Sequence, residues 1–144
     1  MITPHLVCGG ASEAIEFYKL AFGAVEVMRL PMPNGKLAHA SITINDSAVM
    51  LVDEMPERGL SGPKLLGGTS VQIHMTVPDV DATVARAVEA GATVILAVGD
   101  QFWGDRYGVI EDPFGHRWSI ATPGKNVPQT TEDLTKSMRG GTRS

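Results

Sequence analysis

Between Leu37 and Ile44 the side chains alternate, with Ala38, Ala40, Ile42 and Ile44 on one side and His39, Ser41 and Thr43 on the other. Val71 to Val77 alternates in the same way, setting Val71, Ile73, Met75 and Val77 against Gln72, His74 and Thr76. A period of two marks a strand with one face on a core. A longer period runs from Ala11 to Phe22, where Ala14, Phe17 and Ala21, then Ile15, Tyr18 and Phe22, recur at helical spacing before Gly23 closes the segment. Val80 to Ala90 repeats this with Val84, Ala87 and Val88 on one face, and Gly91 closes it.

The two helices sit in copies of one larger pattern. Ile2 to Val7 is predicted as a strand ahead of the first helix, as Val71 to Val77 is ahead of the second. His5 lies 69 residues before His74, and Gly23 lies 68 before Gly91. Three strands are predicted after each helix: Val25 to Leu30, Leu37 to Ile44 and Ala48 to Asp53, then Val94 to Val98, Arg106 to Glu111 and Arg117 to Ala121. Each half is therefore βαβββ, with Asn34-Gly35 and Asn45-Asp46 as hairpin turns. The expected organisation is one domain over residues 1–122, comprising module one (1–54), a Gly- and Pro-rich linker (55–69) and module two (70–122). A polar tail follows over 123–144, in which Thr131-Glu132-Asp133 opens only a short helix. The fold class is α+β, tandem βαβββ modules forming a curved mixed sheet around a cleft walled by the polar strand faces.

Composition narrows the function. With 144 residues and 43% hydrophobic content, the chain can bury a core without disulfide staples. Cys8 is the only cysteine, which excludes an internal disulfide and a thiolate metal cluster and predicts a small buried strand residue. A net charge of -4, with scattered Lys and Arg, argues against nucleic acid as a partner. No apolar run approaches the ~20 residues of a membrane span and no leader pattern precedes the first strand, so no membrane is expected and a cytoplasmic location is predicted. No G-x-S-x-G elbow or P-loop lysine pattern occurs.

The segments HLVCGGASEAIEFYKLAFGA, LVDEMPERG and above all FWGDRYGVIEDPFGHRWSIAT, on the tandem βαβββ plan, resemble the vicinal-oxygen-chelate superfamily, the glyoxalase and bleomycin-resistance family, in its PhnB-like branch. The resemblance covers nearly everything from Ile2 to Thr122. It implies a cleft for a small-molecule ligand and a homodimer, since such modules commonly pair. In metal-dependent members a ligand sits on the first and last strand of each half; the resemblance puts His5, His74, Leu51 and Ser119 at these places. Imidazole suits a divalent transition metal such as Zn, Ni, Mn or Fe, but Leu51 and Ser119 supply no carboxylate. Asp53, two residues beyond Leu51, is the nearest acid to complete a set with His5 and His74. Glu54 and Glu111 are expected on the opposite alternation.

For ligand binding the candidates are His39, Trp103, Arg106, Tyr107 and Ser119. Trp103 borders Gly104 in a loop similar to the branch's lid, and is placed to stack on a ligand. Arg106 presents a fork suited to an anion or to Asp105 or Asp112. Asp112-Pro113-Phe114-Gly115 is a turn with no chemistry assigned. Two functions follow: a protein that holds a metabolite or antibiotic unchanged, or a metal-dependent lyase, isomerase or dioxygenase acting on vicinal oxygens. Because His5 and His74 lie on the polar alternation of equivalent strands, both are expected to face one cavity.

Overall fold

The computed structural model describes residues 1–124 and 130–141, and residues 125–129 and 142–144 of the tail lie outside it. Strand β1 (His5–Cys8) leads into helix α1 (Ala11–Phe22), followed by β2 (Val25–Pro31), β3 (Leu37–Ile44) and β4 (Ser47–Asp53). A 3-10 turn (Pro56–Arg58) and the short helix α2 (Pro63–Leu66) bridge to β5 (Gln72–Thr76), α3 (Val80–Ala90), β6 (Thr93–Asp100), β7 (Asp105–Glu111) and β8 (Arg117–Pro123). Helix α4 (Thr131–Gly141) is longer than the short helix expected there; Thr130 Oγ1 caps it by accepting from Asp133 N at 3.0 Å.

The mixed sheet is two four-stranded sheets, ordered β1-β4-β3-β2 and β5-β8-β7-β6. In each, the first strand runs parallel to the last and the rest are antiparallel. The two-residue turn after β3 forms because Asn45 and Asp46 accept positive φ, 47° and 67°. Helix burial follows the sequence period: Ala14, Ile15, Phe17, Tyr18, Ala21 and Phe22 are all buried in α1, as are Val84 and Ala87 in α3, whereas Val88 rolls outward and is exposed. The two helices pack on one another and on one side of the sheets, so the core runs unbroken through both modules.

The junction of that core is polar. Asp112, 2% exposed, takes the Tyr18 hydroxyl at 2.5 Å and Trp118 Nε1 at 2.9 Å on Oδ2, and Phe114 N at 2.9 Å and His116 N at 3.0 Å on Oδ1. Tyr18 belongs to module one and the other donors to module two. The turn predicted to be a mere connection is therefore the fastening between the halves. A second tie is His116 Nε2, 2.9 Å from the carbonyl oxygen of Val7 on the outer edge of β1.

Asp112→Ala leaves the Tyr18 hydroxyl and the Trp118 indole buried without an acceptor, and should lower stability by about 3 kcal/mol or more. Tyr18→Phe, which removes a single bond, should cost only about 1–2 kcal/mol. Urea unfolding checks both, and a double-mutant cycle should show strong coupling.

Burial holds the Cys8 thiol above its ordinary 9.0, and burial beside the Asp112 carboxylate holds the Tyr18 phenol well above its ordinary 10.0. The folded chain thus keeps protons that the unfolded chain releases. This stabilisation is complete below those ordinary values and is lost as pH rises past them. The urea midpoint should fall between about pH 9 and about pH 11, and Tyr18→Phe should flatten the part above about pH 10.

Candidate functional site

Each sheet has a second face, turned away from the helices. In module one, register places His5, Met50 and Ser41 in one row and Val7, Val52 and His39 in the next. In module two the corresponding rows are His74, Ser119 and Val109, then Thr76, Ala121 and Tyr107. The same 45-residue spacing joins His5 to Met50 and His74 to Ser119.

The open face of module two carries a chain of rings. His74 lies over Tyr107 with centroids 6.3 Å apart and planes 21° from parallel. Tyr107 meets Trp103 at 5.3 Å, and Trp103 meets Phe102 at 5.0 Å, both near perpendicular, the edge-to-face packing that aromatic quadrupoles favour. The polar ends are tied down: Trp103 Nε1 donates to Asp105 Oδ2 at 3.0 Å, and His74 Nδ1 lies 2.9 Å from the Ser119 hydroxyl. Ser119 is 4% exposed, so it serves as the floor of this face. The structure therefore brings His74, Ser119, Tyr107 and Trp103 together. His39 lies on the other sheet, where its ring meets that of His5 at 5.8 Å.

Several expected positions are corrected. Leu51 is buried on the helix face; its neighbour Met50 occupies the place paired with His5. Asp53 shares that inward alternation and is 7% exposed. Its Oδ1 accepts from Gly10 N at 3.2 Å and Ala11 N at 2.9 Å, capping α1, and its Oδ2 accepts from Leu37 N at 2.6 Å. Thr122 does the same for α3, accepting from Val80 N at 2.8 Å. Asp53 is thus one of two equivalent helix caps and is unsuited as the acid of a metal set.

Arg106 also faces the helices, as alternation demands of the residue beside Tyr107. It forms a two-pronged pair with Asp81 on α3, at 2.6 and 3.0 Å, and reaches Asp100 at 3.2 Å. Glu111 is the acid that sequence reasoning misplaced. It shares the open side with Tyr107 and Val109, and Arg117 Nε lies 3.4 Å from it. Glu54 instead accepts from Gly62 N at 3.0 Å in the linker.

His5 and His74 line different cavities. His74 borders one of about 670 Å³ between β5, the residues ahead of β1 and the β3–β4 turn. His5 borders one of about 350 Å³ with Ser61, Thr69, Ser70 and His116. The donors at the four strand positions are two imidazoles, the Met50 thioether and the Ser119 hydroxyl, with no carboxylate. With no carboxylate to complete it, and with His5 and His74 on separate cavities, that set forms no assembled site for a divalent metal. Among the described residues no cluster of three or more His, Cys, Asp and Glu is assembled for a metal, and no helix is long and apolar enough to cross a membrane.

Residues 2–120 match the model of the Glyoxalase/Bleomycin resistance protein/Dioxygenase superfamily. An uncharacterized protein of Mycobacterium bovis is 51% identical over 142 residues, covering 96% of this chain and 93% of that one. Among solved structures, an Arabidopsis thaliana gene product superposes with a TM-score of 0.70 at 27% identity, over 84% of this chain and 97% of that chain. TioX from Micromonospora gives 0.68 at 26%, over 85% and 97%. FosX, a fosfomycin resistance protein from Listeria monocytogenes solved with Mn(II) and sulfate, shares the fold at 0.66 and 15% identity, over 94% of each chain. The chain belongs to the Glyoxalase/Bleomycin resistance protein/Dioxygenase superfamily, an α+β fold whose members bind small molecules and in many cases divalent metals.

Proposed function

We propose that the chain is a binding protein of the PhnB-like branch that holds a small organic molecule, a metabolite or antibiotic, on the open face of module two without transforming it. The observation that carries the reading is the unbroken contact from Phe102 through Trp103 and Tyr107 to His74, with the Ser119 hydroxyl at its base. Ring faces give a flat ligand dispersion and shape contact, and the hydroxyl and imidazole give it a polar anchor. Trp103 acts as the upper wall. The reading places the protein in the cytoplasm.

The competing reading, a metal-dependent lyase, isomerase or dioxygenase, needs an ion to polarise vicinal oxygens and a base beside the reacting carbon. Met50, Leu51 and Ser119 supply no base, Asp53 is spent on capping α1, and Glu111 lies against Arg117. The hemithioacetal of methylglyoxal and glutathione should therefore turn over no faster with the protein and Zn, Ni, Mn or Fe than without it. Metal-dependent turnover abolished by His5→Ala or His74→Ala would reverse the assignment.

A homodimer completes the proposal. Val25, Val27 and Leu30 on β2 and Val94, Ile95 and Leu96 on β6 are exposed apolar residues on the outermost strand of each sheet, surface that association would cover. Sedimentation at micromolar concentration should give twice the chain mass, and a strict monomer would reject this part. For the ligand, screening of planar polar molecules by tryptophan fluorescence should identify compounds that quench Trp103. Trp103→Ala should weaken their binding about tenfold, equivalent to ~1.4 kcal/mol. Equal affinity in that variant would remove the aromatic face from the site.

A further inference from the structure

The ring chain on the open face of module two has unlike polar ends, and they set what kind of molecule can lie along it. At one end stands His74. Ser119 is 4% exposed, and its hydroxyl has one hydrogen-bonding partner among the described residues, His74 Nδ1 at 2.9 Å. A buried hydroxyl whose proton finds no acceptor costs free energy, so that proton goes to Nδ1. Nδ1 then accepts, and the proton of the neutral ring sits on Nε2. His74 is exposed and its Nε2 has no partner among the described residues, so this end of the face is a free hydrogen-bond donor.

At the other end stands Asp105. It shares one side of β7 with Tyr107, and its Oδ2 accepts from Trp103 Nε1 at 3.0 Å. That bond holds the carboxylate at the edge of the indole and occupies one oxygen. Oδ1 has no partner among the described residues, and Asp105 is half-buried. Its chain neighbour Arg106 is turned to the helix side, where Asp81 and Asp100 hold it. This end is therefore a free acceptor with negative charge. Between the two ends the indole N–H is already spent, and the Tyr107 hydroxyl can donate or accept, so neither selects a direction.

We infer that the face takes a planar molecule polarised from end to end, with a carbonyl-type acceptor for His74 Nε2 and an amino donor for Asp105 Oδ1. The inference rests on the binding face proposed above and adds to it a ligand class and a direction. A molecule turned end for end sets N–H against N–H and oxygen against oxygen, which leaves both ends unpaired. Ser119 is a positioning residue, acting on the ligand through the imidazole.

The test is a fluorescence titration of the full-length, untagged protein with three probes: an aminonaphthalene bearing an acetyl group at the far end of its rings, the same amine with isopropyl in place of acetyl, and the acetylnaphthalene without the amine. The first should bind tightest, and loss of either polar end should weaken binding about fivefold or more. In His74→Ala the acetyl and isopropyl amines should bind alike. In Asp105→Asn, where the amide oxygen still receives Trp103 and its NH2 faces the ligand, the amine should no longer help. Ring-nitrogen NMR at about pH 9, where an ordinary imidazole is neutral, should place the His74 proton on Nε2. If none of the probes binds, the aromatic face itself is refuted and the inference falls with it. Equal affinities for all three, a preference for acetyl that survives His74→Ala, or a His74 proton on Nδ1 would overturn the inference and leave the aromatic face standing.

Discussion

The Asp112 carboxylate is the constraint on which the rest of the molecule depends. A buried acid is tolerated only when its lone pairs are filled, and here two oxygens receive four donors, one of them the Tyr18 hydroxyl from the other module. The pattern has two effects. The Phe114 and His116 amides close the turn that brings β7 back along β8, and the Tyr18 and Trp118 bonds fix where α1 lies against the second sheet. Hydrophobic contact between Phe22 and Trp118, 4.9 Å between ring centroids, supplies attraction but little direction. The carboxylate supplies the direction.

With both helices pinned on one side, the opposite sheet faces are left open, and duplication gives them matching layouts. The inward side of the frame is nearly invariant between modules in role: Leu51 and Ile120 fill the core, and Asp53 and Thr122 each receive the first amides of their helix. The open side differs. Met50 stands where module two has Ser119, and His39 where it has Tyr107. Substitution on an open face leaves the core packing untouched, so chemistry can diverge there at small cost in stability.

Much of this was legible in the sequence, for reasons that particular residues make plain. Helix α1 announced itself because all six apolar positions of its stripe are used by the core. Strands β3 and β5 were equally clear, since His39 and His74 alternate against apolar neighbours. Strand β4 carried no such signal. Ala48, Met50 and Val52 on one side are as apolar as Val49 and Leu51 on the other, so alternation could not say which side faced the helices, and Leu51 was placed one residue out of register. The equal 45-residue spacing from each strand histidine would have chosen Met50. Arg106 and Tyr107 were both assigned to the ligand face although adjacent strand residues cannot share one. Asp112 was passed over because a turn aspartate is ordinarily exposed, and only the tertiary fold shows that Tyr18 and Trp118 converge on it.

The same reasoning explains why the metal set of the wider family does not transfer to this chain. Transfer by motif assumes that four positions act as a unit, but the frame holds each on its own strand and requires only that the inward neighbours pack. Once Met50 and Ser119 stand where acids are needed, nothing inside the fold restores them, because the adjacent acid, Asp53, is committed to the start of α1. Turning Asp53 outward by a shift of register would strip the Gly10, Ala11 and Leu37 amides of their acceptor and carry buried Leu51 outward with it. The inward face therefore limits what the outward face can become.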